Sequence, residues 1–160
     1  MTPTDPAERW WSEHEVPSGP AAPRGAYVPV VVQGDLAYVS GQLPFREGKL
    51  TAEGLVDEEV GVPQAQAAAR QCALNALAAL RAEISSLARV RQVLRVGVYV
   101  ASSPRFTSQP LVANGASELL MEVLGERGRH SRVALGASRL PLNSPVEVEL
   151  LAALGPLPAP

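Results

Sequence analysis

The apolar residues of this chain recur with two different periods, and the helical one occupies only two long stretches. Over residues 63–87 they fall at steps of three and four, at Ala69, Ala73, Ala76, Leu77, Leu80, Ile84 and Leu87. That is the pattern of one buried helix face. Pro63 suits the first turn, and Ser85-Ser86 weakens the far end. The second helical stretch covers 108–124, with Val112, Ala116, Leu119, Leu120 and Val123 in one stripe and Gly125 as its stop. Strand-like runs lie at 27–33, 36–40, 93–100, 131–137 and 146–153. Gly34-Asp35 joins the first two as a hairpin, and Pro29 suits an edge strand or a strand start. The order is therefore β-β-α-β-α-β-β. Helices that connect strands in this way cover one face of a mixed sheet. No further segment is large enough to cover the other face, and an uncovered apolar face is a physical argument for self-association.

The ends of the chain read differently. The first two dozen residues are rich in Pro and charge, and residues 7–15 fit a short helix after Asp5-Pro6, anchored by Trp10 and Trp11. In a chain with 4% aromatic residues, two adjacent tryptophans need a surface: the body of the domain or a neighbouring subunit. The closing Gly-Pro-Leu-Pro-Ala-Pro carries no helix or strand signal. The expected division is an N-terminal extension over 1–24, one domain over 25–154 and a flexible tail over 155–160.

Charge and composition exclude several classes of function. Net charge is −2, and the arginines are scattered from Arg24 through Arg89, Arg91 and Arg95 to Arg127 and Arg129. No nucleic-acid partner is expected from such a distribution. The densest basic cluster, Arg127, Arg129 and His130, reads as a solvated helix end. The single cysteine, Cys72, excludes an intrachain disulfide and fits a helix as a small hydrophobe rather than a reactive thiol. His14 and His130 have no ligand-like spacing with it, so no metal is expected. The start, Met-Thr-Pro-Thr-Asp-Pro, shows no secretory signal, and no apolar run is long enough for a membrane span. A cytoplasmic location without a membrane partner is the expectation.

The last two strands carry the candidate chemistry. Along Val146-Glu147-Val148-Glu149-Leu150 the apolar residues point one way and both glutamates the other. Along the preceding strand, Arg132 and Ala134 share a face opposite Val133 and Leu135. Antiparallel pairing of these two strands would put Arg132 on the same side as Glu147 and Glu149. Two readings then stand: a cross-strand ion pair on a solvated face, or an Arg fork for a substrate carboxylate beside a Glu that holds a water.

Three blocks of sequence resemble the RidA/YjgF family, also called endoribonuclease L-PSP. They are Gly25-Ala26-Tyr27 with Gly34-Asp35-Leu36-Ala37-Tyr38-Val39-Ser40-Gly41-Gln42-Leu43-Pro44; Gln71 and Asn75 with Arg95-Val96-Gly97-Val98-Tyr99-Val100; and Arg132 through Leu140-Pro141 to Val146-Glu147-Val148-Glu149. They span nearly the whole chain. The segment from Val112 to Leu119, with Asn114 at its centre, and Gly128-Arg129-His130 after it resemble a less-characterised branch.

The resemblance implies a chorismate-mutase-like α/β (α+β) fold, with a mixed β-sheet and two helices on one face. It also implies a homotrimer with ligand pockets between subunits. In the active branch of the family the reaction is cofactor-free hydrolysis of reactive 2-imino or enamino acids to 2-oxo acids and ammonia. Carried over by position, Arg132 grips the substrate carboxylate and Glu147 helps place the attacking water. Ser40, Tyr27 and Asn114 line the pocket, and Gly41 presents backbone there. An imine is already electrophilic, so a modest acid–base arrangement suffices. The chain departs from the family pattern at Ala134, where its enzymes often carry Cys. That departure favours the alternative, a non-catalytic trimer that binds small carboxylic acids and regulates a partner. A serine nucleophile at Ser40 has no support, since Ser-Gly-Gln lacks the Gly-x-Ser-x-Gly elbow.

Overall fold

The structure is a computed structural model that describes residues 4–156. Most of the tail expected from Gly155 onward lies outside the described residues. The chain opens with helix α1 (Pro6–Glu13), followed by strands β1 (Val30–Gln33) and β2 (Leu36–Gln42), and by a small hairpin, β3 (Phe45–Arg46) and β4 (Lys49–Leu50). Helix α2 (Val62–Ile84), strand β5 (Val90–Ala101) and helix α3 (Gln109–Leu124) come next, and β6 (Ser131–Ala137) and β7 (Val146–Leu154) close the domain. The expected order of strands and helices is therefore present, with the β3–β4 hairpin added in the Gly-rich stretch. The first strand starts at Val30 rather than at Tyr27. Residues 27–29 still run beside β2, where Ser40 N–H donates to Pro29 O at 2.9 Å.

The five strands form one sheet in the order β1-β2-β7-β5-β6. All neighbours are antiparallel except β5 and β6, which are parallel. This corrects the pairing expected from the sequence. β6 does not pair with β7; β5 lies between them. The link after α3 brings the chain back beside β5 in the same direction, as a β-α-β crossover does.

Both long helices pack on one face of this sheet. Val96, Val98 and Val100 of β5 and Val146 and Val148 of β7 are fully buried there. They meet Ala65, Ala69, Ala73 and Ala76 of α2, where alanine side chains let the helix approach the sheet closely. Cys72 is fully buried on the same helix, and its Sγ–H donates to Val146 O at 3.5 Å. Burial, aided by the negative Glu147, holds the thiol well above its ordinary range. It behaves as the small hydrophobe expected.

Helix α1 belongs to this layer. Asp5 caps it, accepting from Ala7 N–H at 2.9 Å, and Trp11 is buried against the core. Trp10 stacks on His14 with ring centroids 4.0 Å apart and donates to Glu122 of α3 at 3.1 Å. Both tryptophans therefore find their surface within the chain. The opposite sheet face carries no helix among the described residues. Val31, Tyr38 and Leu135 are each about half exposed, at 51%, 49% and 50%.

Candidate functional site

Residues paired across parallel strands point to the same side of a sheet, and Arg132 is paired with the buried Val96. Arg132 therefore faces the helices. Its Nη1 donates to Asn114 Oδ1 at 2.9 Å and to Ser117 Oγ at 3.0 Å, both on α3. Its Nη2 donates to Pro110 O at 3.4 Å. Arg132 and Asn114, singled out separately in the sequence, are thus one unit. Ala134 follows on the same face, packed against the core.

Glu147 and Glu149 lie on the other face. They pair with Tyr99 and Gly97 of β5, while their neighbours Val146, Val148 and Leu150 are buried under the helices. The sequence correctly put both glutamates on one side of their strand. Arg132 does not join them, because the strand beside β7 is β5. The solvated Arg–Glu pair is likewise absent: Glu147 makes no ion pair among the described residues. Burial raises the Glu147 carboxyl above its usual range, and the like charge of Glu149 adds to the shift. Glu149 accepts a hydrogen bond from Tyr99 Oη–H at 2.9 Å, which raises the Tyr99 phenol in turn.

Ser40 and Gly41 stand beside Glu147. The β2–β7 register shifts between Val39 and Gln42, so the strand bulges at Ser40-Gly41. A β-carbon on Gly41 would overlap Glu147 Oε1, so only glycine lets the carboxylate lie against this backbone. Ser40 Oγ–H donates to Val28 O at 2.8 Å, which leaves the oxygen free to accept. Tyr27, half exposed, precedes that segment by one residue. Across the open face, a shallow concavity of about 310 Å³ is lined by Val31, Tyr38, Ser40, Arg95, Gly97 and Glu149. Asn75, by contrast, is structural: its Nδ2 holds the carbonyls of Leu43 and Phe45 at 2.9 Å each.

The candidate residues thus form two groups on opposite sides of one sheet, Arg132 with Asn114, and Ser40, Gly41 and Glu147. Sequence reasoning missed two side chains that extend the first group. Ser117 Oγ lies 2.9 Å from His130 Nε2, and His130 Nδ1 lies 2.6 Å from Gly128 O. The signal was present in the spacing. Ser117 is one helical turn from Asn114, and His130 is two residues before Arg132. Among the described residues no cluster of His, Cys, Asp and Glu is arranged to hold a metal. None of the described helices is long and apolar enough to cross a membrane.

Known proteins share this architecture. A protein-family model described as "YjgF/chorismate_mutase-like, putative endoribonuclease" matches residues 12–154. Protein TCP17 of Trypanosoma cruzi is 44% identical over 135 residues, 84% of each chain. The crystal structure of Atu1372, a protein of unknown function from Agrobacterium tumefaciens, superposes with a TM-score of 0.79 at 46% identity, over 80% of this chain and 82% of that one. A structure from Shewanella oneidensis MR-1, described as a "putative endoribonuclease", reaches a TM-score of 0.88 at 35% identity, over 94% of this chain and 100% of that one. With the five-stranded mixed sheet, the helices on one face and a match over nearly its whole length, the chain belongs to the YjgF/chorismate-mutase-like family.

Proposed function

We propose that the protein hydrolyses reactive 2-imino or enamino acids to 2-oxo acids and ammonia, without a cofactor, in pockets completed between copies of the chain in a homotrimer. The observation that carries this reading is the split of the polar set. Arg132 and Asn114 lie under α3 near the β6 edge, and Ser40, Gly41 and Glu147 lie on the uncovered face. Neither group suffices alone: one offers a cation for a carboxylate, the other a proton-exchanging acid. The half-exposed Val31, Tyr38 and Leu135 favour a neighbouring copy as the cover of that face. In a closed ring, each Arg132 edge meets the neighbour's Ser40–Glu147 face.

In such a pocket Arg132 pairs with the substrate carboxylate and Asn114 holds the guanidinium. Water adds to the imine carbon, its oxygen forming the new bond while the C=N π electrons move to nitrogen. Glu147 takes a proton from that water and delivers one to nitrogen. The carbinolamine then collapses: Glu147 carries the hydroxyl proton to the amine nitrogen, the O–H electrons form C=O, the C–N bond breaks with its electron pair going to nitrogen, and ammonia leaves. A carboxyl raised by burial is suited to exchange protons nearer neutral pH. Ser40 Oγ accepts a hydrogen bond from the water, and the half-exposed Tyr27 lines the mouth of the pocket.

One observation favours a second reading, a trimer that binds small carboxylic acids without turning them over. Ala134 leaves no thiol beside Arg132. RNA cleavage has less support, since net charge is −2 and Arg46, Arg70, Arg81, Arg127, Arg129 and Arg139 are each paired with an acid. Ammonia release from freshly generated 2-iminobutanoate decides between the two main readings. Acceleration by the wild type, abolished in Arg132→Ala without loss of folding, is the expected result. A folded wild type that does not accelerate release removes the deaminase reading and leaves the binder.

A further inference from the structure

We propose that Ser117 and His130 are positioning residues, which fill one end of the Arg132 guanidinium so that only its Nε–Nη2 edge is offered to a carboxylate. This rests on reading Arg132 as the carboxylate-binding residue. Nη1 has two hydrogens; one goes to Asn114 Oδ1 at 2.9 Å and the other to Ser117 Oγ at 3.0 Å. An arginine only donates, so Ser117 Oγ accepts there and its own hydrogen must go elsewhere. The Gly128 carbonyl, 2.6 Å from His130 Nδ1, can only accept, so Nδ1 carries the ring proton and donates it there. In the neutral ring that leaves Nε2 bare, and it takes the Ser117 hydrogen from 2.9 Å away.

The chain of donors is thus Arg132 Nη1–H to Ser117, Ser117 O–H to His130, and His130 Nδ1–H to Gly128. Helix α3 holds the chain at Ser117 and at Gly128. Ser117 is 8% exposed on α3. Gly128 sits so close to the same helix that a β-carbon there would overlap Leu120 O. What remains of the guanidinium is specific in shape. Nε has no hydrogen-bond partner among the described residues, and Nη2 has only Pro110 O, at a long 3.4 Å. Nε–H and the adjacent Nη2–H are parallel and match the two oxygens of one carboxylate. Beside this chain, Ser117, Met121, Arg129, His130 and Arg132 line an open cleft of about 370 Å³. No acidic side chain lines it, so nothing there competes for the guanidinium.

Two measurements test the proposal. Ring-nitrogen NMR, with His14→Gln to isolate the His130 signals, reports the tautomer without any ligand. A protonated Nδ1 and a hydrogen-bonded, bare Nε2 that changes in Ser117→Ala are expected; an Nε2–H tautomer overturns the chain. Calorimetric titration with 2-oxobutanoate reads the function. Ser117→Ala and His130→Ala are expected to weaken binding roughly tenfold, the usual effect of losing a hydrogen bond to a charged group. Ser117→Thr, which keeps the hydroxyl, is expected to restore it to within about twofold, with melting temperatures unchanged. Wild-type affinity in Ser117→Ala, alongside lost binding in Arg132→Ala, overturns the relay and leaves the carboxylate reading standing. Equal binding by wild type and Arg132→Ala overturns that reading itself, and the relay's role with it.

Discussion

Gly41 and Glu147 show how a single missing side chain makes room for a carboxylate against the sheet. The carboxylate occupies the space a β-carbon would need, so Gly41→Ala has to displace it. A displacement of about 1 Å at a reacting group lowers turnover on the order of a hundredfold. That loss is expected for Gly41→Ala in the ammonia-release assay, in a protein that remains folded. Glu147 also predicts a dependence on pH. Its folded-state pKa is raised, so its contribution to stability is fully present below the ordinary carboxylate pKa and is lost as pH rises through the folded value. Glu147→Gln carries no such loss. Its melting temperature is therefore expected to exceed the wild type's by a margin that grows from about pH 4 to about pH 8. A margin that shrinks over that range would contradict the burial argument. Ser40, Gly41 and Glu147 were legible as motif positions, but their contact was not. It depends on the bulge at Ser40-Gly41, a one-residue irregularity in β2 that alternation does not reveal.

Both long helices were legible as elements because their apolar stripes keep one period for about three turns or more. The faces of β6 and β7 were legible too, each from its own alternation. Their neighbours were not. Whether Arg132 shares a side with Glu147 depends on β5 lying between the two strands, and that depends on the crossover after α3. Alternation orders residues within a strand and says nothing of the strand beside it. Helix α1 was legible from Asp5-Pro6 and its two tryptophans, whereas its ionic tie to α2 was not. Burial alone would raise the Glu8 carboxyl; Arg81, at 2.8 Å, together with Leu87 N–H and Ser86 Oγ–H, lowers it below its usual range. A charge-assisted set of this kind, partly buried, is worth about 1–2 kcal/mol. Glu8→Ala is expected to lose about that much in urea unfolding near pH 7. The lowered pKa makes the contribution present above the ordinary carboxylate value and lost as pH falls through the folded one. The variant and the wild type are thus expected to converge in acid. A constant gap would assign the effect to packing.

The molecule as a whole has helices for one side of its sheet and none, among the described residues, for the other. That imbalance was the most legible feature of the sequence, because it needs only a count of elements. What covers the open face was not legible, since it lies outside the chain. If a second copy does so, a charge placed among the half-exposed Val31, Tyr38 and Leu135 has to be buried on association. Tyr38→Glu is expected to yield a folded protein that sediments as a monomer; self-association equal to the wild type's would place the interface elsewhere. If the pockets form between copies, Arg132 of one works with Glu147 of another, and mixing of subunits reads this out. Arg132→Ala and Glu147→Ala proteins, each inactive alone, are unfolded together, refolded as mixed assemblies and assayed for ammonia release from 2-iminobutanoate. In equal mixtures about a quarter of the interfaces regain both residues, so activity is expected to return to roughly a quarter of the wild-type level. Mixed assemblies confirmed by mass spectrometry that stay inactive would show that Arg132 and Glu147 do not share a pocket between copies.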